Sequence, residues 1–224
     1  MLNILEAFKN IPAVLFRPGR FFSNAKDQGG ISPGSALWAI GLVLLIGTLL
    51  LFGFSFMEAG SVGSTQSQIK QPVKGAKWLA MMSSDAHRPW NRLLFPVYWL
   101  TFLGLAGVGR RLIIRMMGDP GSTGSTFAVT FLGAIPLVVS GILLGIVGIL
   151  MPASTDVSMV WPRVALSLLI FLGALIWEAL ITIKGFRIFH EQNTGRAGIT
   201  WFAAYFLLFV ILCGFITLPL SLFS

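Results

Sequence analysis

Apolar positions fill five long runs of the chain, at 36–57, 93–109, 127–151, 164–183 and from 199 almost to Ser224, with polar positions gathered between them. Each run is close to the about 20 residues a helix needs to cross hydrocarbon. The second run is short, bracketed by Arg92 and Arg110-Arg111, and needs snorkelling arginines or a locally thinned bilayer. Ahead of the runs, Ile4, Phe8, Ile11 and Leu15 recur at helical spacing, while Glu6 and Lys9 fall elsewhere. Pro18-Gly19 then break that pattern. The pattern predicts an all-α, polytopic membrane helix bundle of five transmembrane helices with an N-terminal interfacial amphipathic helix. Residues 1–30 form the interfacial segment and 31–224 the five-span domain. Two placements of the segment remain open. It lies in the membrane surface, anchored by Phe16, Arg17, Pro18, Arg20, Phe21 and Phe22, or it packs on the cytosolic ends of the spans.

Composition decides the solvent. The chain is 55% hydrophobic and 11% charged, with a mean hydropathy of +0.84; a soluble domain carries about twice that share of charge. The net charge of +8 is not a nucleic-acid footprint, because the basic residues sit between spans and form no block of five. The single cysteine, Cys213, lies in an apolar run without a metal-ligand companion. The start, "MLNILEAFKN", does not read as a signal peptide. Five spans put the termini on opposite sides. Ten Lys and Arg residues then share the side of the N-terminus and six the other, which predicts a cytoplasmic N-terminus and an external C-terminus. Trp38, Trp90, Trp161 and Trp201 fall at span starts on alternating sides, as an aromatic belt does.

Candidate chemistry is sparse. The loop at 58–91 carries Asp85 and His87, two positions apart and so on different faces of any helix. "GDPGSTGST" (118–126) is a turn-rich linker without the Lys-Ser/Thr of a phosphate loop. His190 closes the fourth span at the water surface, with no second ligand in view for a haem or pigment. No catalytic residue, metal ligand or cofactor is expected. Gly141 and Gly145 form a G-x-x-x-G pair suited to helix packing, within the bundle or between two copies.

Glu178, inside "FLGALIWEALITIKGF", is the exception. A carboxylate at bilayer depth costs a few kcal/mol on insertion scales and needs a partner. Lys184 is six positions on, about 9 Å along the axis and on another face. Its same-face neighbours are Ala174, Leu175, Ile181 and Thr182, so the partner comes from another helix. The second span leaves the membrane on the matching side at Arg110-Arg111, and an intramembrane polar pair of Glu178 with Arg110 or Arg111 is expected.

The closing stretch "FLGALIWEALITIKGFRIFHEQNTGRAGITWFAAYFLLFVI" resembles that of the Yip family, Rab-interacting five-span membrane proteins and their prokaryotic relatives. The matching features are Trp177, Gly185, the polar loop "EQNTGRAG" and the Ala/Gly entry to the last span. "VLFRPGRFF" looks like the proline-arginine-aromatic lead-in of bacterial members, and "STFAVTFLGAIP" is similar to the approach to the third-span proline. The chain lacks the "DLYGP" of eukaryotic members and has Gly133-Ala134-Ile135-Pro136 where they carry Gly-Tyr before the proline. The resemblance therefore implies a bacterial-type member of the inner membrane, engaged in membrane organisation or partner binding. The expected function is a non-enzymatic scaffold or accessory protein. Its partners are the lipid bilayer and other integral membrane proteins, as a subunit of a larger complex or as a homo-oligomer. The alternative is a small transporter, channel or lipid-moving protein with Glu178 in a polar path, and a third class is a membrane enzyme using Asp85 and His87.

Overall fold

A computed structural model describes residues 11–62, 93–119, 121–150 and 157–222. Asp85, His87, Trp90 and most of the 58–91 loop lie outside them, as do Ile4, Glu6, Phe8 and Lys9 of the N-terminal pattern. The described residues form helices and no strand: α1 (Pro18–Asp27), α2 (Pro33–Val62), α3 (Phe95–Met116), α4 (Thr123–Gly133), α5 (Ile135–Leu150), α6 (Val157–Phe189) and α7 (Thr194–Leu222). Residues 11–16 add a short helical stretch before α1. Five segments are long and apolar enough to cross a membrane: Pro33–Gly53, Phe95–Met116, Thr123–Gly148, Trp161–Phe189 and Thr194–Ile211. The protein is an integral membrane protein.

Three boundaries depart from the hydropathy pattern. The second span does not end at Arg110-Arg111 but continues as helix to Met116, with Arg110 wholly buried. The fourth extends past Ile183 to Phe189. In "GDPGSTGST" only the first residues are linker. Ser122 caps α4, accepting the Ser125 backbone N–H at 3.0 Å, so the helix has begun by Thr123. The third span breaks at Ala134, between α4 and α5. Pro136 offers no N–H to the carbonyl of Leu132, and its ring crowds that carbonyl, so the helix is interrupted one turn upstream.

The chain divides into two compact units. One holds the chain up to Gly41, Leu100–Leu137 and the chain from Ala174; the other holds Leu42–Trp99 and Val138–Gly173. In the second unit, aliphatic side chains fill glycine notches. A Cβ on Gly145 would collide with Leu51, and one on Gly141 would sit 3.4 Å from Trp99. Both glycines thus pack within the chain.

In the first unit, Val14, Pro18 and Phe22 are buried at four-residue intervals, which makes them one face of the N-terminal segment. That face lies on α6. The Phe22 ring meets Phe189 edge-on at 6.0 Å, Trp177 donates its indole N–H to the Leu15 carbonyl at 3.0 Å, and Lys26 Nζ pairs with Glu191 at 2.8 Å. Of the two placements open from sequence, the described part of the segment takes the packed one. Pro18 and Phe22, read as surface anchors, are buried, and Gly185 leaves room for the Phe22 ring. Phe16, Arg17 and Arg20 stay exposed, and Phe21 is half-buried. Gly29 and Gly30, at φ +94° and +99°, turn the chain from α1 toward α2 in the left-handed region that glycine adopts without strain.

A Cβ on Gly185 would sit 2.6 Å from Val129 Cγ1 and 3.2 Å from Phe22 Cε2. Gly185→Ala is therefore expected to cost about 1–3 kcal/mol by overpacking and to lower the melting temperature in detergent. Gly173→Ala on the same helix has open space around its Cβ and should leave that temperature unchanged or raise it slightly.

Candidate functional site

Two polar groupings stand out in the first unit, one inside the spans and one at their ends. Glu178 lies eleven residues before the Phe189 end of its span, about 16 Å along the axis, and is fully buried. Arg110 Nη2 donates to its Oε1 at 2.7 Å. Thr182, one turn on in α6, donates its hydroxyl to the same oxygen at 2.9 Å, and Trp201 of α7 donates its indole N–H to Oε2. Both carboxylate oxygens are thereby engaged, by donors on three helices.

Arg110 is held mainly by its charge. Its guanidinium carbon stands 5.0 Å from the Tyr205 ring centroid and 6.0 Å from that of Phe186. Nε and Nη1 make no hydrogen bond among the described residues. Aromatic faces attract a desolvated cation through their quadrupole, and the weakly hydrated guanidinium tolerates such a setting better than an ammonium would. Small residues on α3 also let other helices come close beside Arg110. Gly109 has Ala204 of α7 against its Cβ position at 3.8 Å, and a Cβ on Gly107 would meet Phe127 of α4 at 2.6 Å.

The structure thus brings Glu178 to Arg110 and not to Arg111. Arg111 turns instead to the Gly121 carbonyl, opening the second grouping. Asp119 accepts the Gly121 backbone N–H at 2.8 Å and the Gln192 side chain at 3.1 Å. Its Oδ1 also stands 3.5 Å from His190 Nδ1. Arg196 donates to the Met117 carbonyl, and Thr200 hydrogen-bonds Arg196 and Gln192. Together these contacts clasp the turn after α3 to the turn between α6 and α7. Gly121 is needed there, because a Cβ would overlap the His190 ring.

His190, read from sequence as a water-surface residue, is buried. Its Nε2 lies 3.2 Å from Thr126 Oγ1 and 3.4 Å from Ser125 Oγ. Ser125, His190 and Asp119 follow the order of a hydrolytic triad. The Ser125 hydroxyl nevertheless donates to the Ser122 carbonyl at 2.8 Å, the geometry of a helix cap and not of an activated nucleophile. No group of three or more His, Cys, Asp or Glu arranged to hold a metal occurs among the described residues.

Trp201 was the donor that sequence reasoning misplaced. A tryptophan at a span start fits an aromatic belt, yet this indole reaches Glu178. Thr182 was visible as a same-face neighbour of Glu178; its hydroxyl was the available signal.

The Yip1 domain family model matches residues 13–218. The chain belongs to the Yip family. Comparison with curated proteins and with solved structures gave no significant match. The family match runs through every described helix. It covers the lead-in around Pro18, the third-span Pro136 and both polar groupings, so the Glu178 network and the Asp119 clasp lie inside the Yip domain.

Two expectations follow. Glu178→Ala strands a buried guanidinium and should cost about 3–5 kcal/mol, seen as a large fall in the unfolding midpoint in detergent. Arg110→Met combined with Glu178→Met removes both charges and should lose clearly less than the two single changes summed. The second concerns pH. Burial holds the His190 pKa below its usual 6.5, helped by the Arg111 charge and opposed by Asp119. Above pH 6.5 His190 is neutral folded or unfolded, and its contribution is fully present. As pH falls below that value the unfolded chain takes up a proton that the folded site resists, so stability declines until folded His190 itself protonates. The melting temperature should drop between pH 7 and 5, and His190→Gln should flatten that drop.

Proposed function

We propose that the protein is a non-enzymatic membrane scaffold or accessory subunit that binds other integral membrane proteins. It resides in a bacterial inner membrane with its N-terminus in the cytoplasm and its C-terminus outside. The observation that carries this reading is the state of Glu178. A carboxylate serving a transport path has to meet water or cargo; this one is wholly buried, with both oxygens taken by Arg110, Thr182 and Trp201. Its role is to fix the rotation and register of helices, which is the best-attested use of a buried charge pair.

A second feature agrees. Leu169, Ile176 and Leu180 of α6 are 71%, 62% and 55% exposed. Gly173 among them has open space at its Cβ position. Small residues flanked by branched ones let another helix approach closely in lipid. The excess of Lys and Arg in loops on the N-terminal side supports the orientation.

A photo-crosslinking amino acid at Ile176 or Leu180, activated in native membranes, should give discrete protein adducts, while one at exposed Met116 should not. Adducts to lipid alone from both α6 positions would overturn the accessory reading. An adduct with a second copy of the chain would make the partner a homo-oligomer.

A further inference from the structure

The N-terminal segment has a second face that α6 does not use. Arg17, Arg20, Asn24 and Gln28 follow at intervals of three and four, the spacing of one helix side. They line a cavity of about 660 Å³ whose opposite wall is the first turn of α2, with Ser32 and Ser35. None of the residues lining it is acidic. Arg17 and Arg20 are exposed. Among the described residues neither makes a salt bridge, in contrast to Lys26 of the same helix, which holds Glu191.

The inner wall changes character. Ala36, Ala39 and Leu132 close the cavity, and all three are apolar and buried. Ala36 and Ala39 come three and six residues after Pro33, where the first span begins, about 4.5 and 9 Å along the helix. The cavity therefore runs from two exposed guanidiniums at the level of the span ends to an aliphatic floor within the span. Its occupant must be anionic, rich in acceptor oxygens at one end and hydrocarbon at the other. Guanidinium forks match phosphate oxygens, side-chain amides and hydroxyls supply further donors, and the size is that of an ordinary small-molecule site.

We propose that this cavity binds the phosphate of an anionic phospholipid, with Arg17 and Arg20 on the phosphate oxygens and the glycerol and first acyl carbons over Ala36, Ala39 and Leu132. The site does not depend on the scaffold reading. It makes the N-terminal segment a clamp that holds one lipid against the first span.

The full chain, purified in neutral detergent and freed of lipid, would be titrated with dioctanoyl phosphatidylglycerol, dioctanoyl phosphatidylcholine and inorganic phosphate. Binding would be read by native mass spectrometry and by the shift in melting temperature. Phosphatidylglycerol should bind in preference to phosphatidylcholine. Arg17→Gln with Arg20→Gln should weaken it at least tenfold while leaving the lipid-free melting temperature unchanged, since both side chains are exposed. Arg17→Lys with Arg20→Lys keeps the charge and loses the fork, so it should fall between. Arg115→Gln, which removes an exposed arginine outside the cavity, should bind like the parent chain. Equal affinity in the double glutamine variant, equal loss in Arg115→Gln, or no phosphatidylglycerol binding by the parent would each overturn the site. Inorganic phosphate binding as tightly as the lipid would overturn the lipid assignment, by showing that the acyl floor adds nothing.

Discussion

Keeping the Glu178 carboxylate inside a lipid-facing bundle constrains α3, α6 and α7 together. Lipid offers no hydrogen-bond partner, so every donor to that carboxylate has to come from protein. Arg110 supplies charge, Thr182 and Trp201 supply direction, and each sits on its helix at one rotation only. Turning α3 or α6 by one residue would strand an ion in hydrocarbon, a penalty well above what apolar contacts recover, and turning α7 would take the Trp201 donor from Glu178 Oε2. Gly109 of α3 and Ala204 of α7 meet at ordinary van der Waals distance, 3.8 Å from the Gly109 Cβ position. The clasp around Asp119 then acts at the span ends, joining the turn after α3 to the turn between α6 and α7. It needs several modest contacts to do what one buried pair does at depth.

The N-terminal segment follows from the same helices. With Gly185 opening a notch on α6, Phe22 can bury itself there, and the four-residue repeat commits Val14 and Pro18 to the same side. What remains on the other side is polar and basic. A basic face of that kind suits water or the headgroup level, where arginines are solvated or paired with phosphate. Packing of this segment on the spans thus follows from the Gly185 notch and the four-residue repeat together.

Much of this was legible in the chain. Hydrophobic runs locate spans because transfer to hydrocarbon is summed over a local window. Glu178 announced its need for a partner because an ion at depth is costly whatever the fold. The geometry around it was less legible. Arg110-Arg111 read as a span boundary because charge normally ends a span; α3 runs on to Met116 because its buried arginine meets a carboxylate from a segment 68 residues away. Trp201 misled because an indole suits a headgroup interface and a buried hydrogen bond equally well. The cap at Ser122 was present as a serine three positions before Ser125, but the surrounding Gly and Pro outweighed it. For Arg110 and Trp201 the deciding contact is remote in sequence, and local pattern carries no information about it.

The second unit is organised on different terms, which bears on where recognition resides. Gly145 against Leu51 and Gly141 against Trp99 and Phe95 are fits of shape, and in lipid no hydrophobic force favours helix contact over lipid contact. Such contacts persist by complementarity alone. Any helix packed against an outward apolar face of this chain meets the same rule. Specific association then has to rest on matched relief, a notch receiving a branched side chain, and Gly173 among Leu169, Leu172 and Ile176 offers such relief on α6. Arg110 and Glu178 neutralise each other inside the bundle, and the exposed α6 surface around Gly173 presents apolar relief in place of charge.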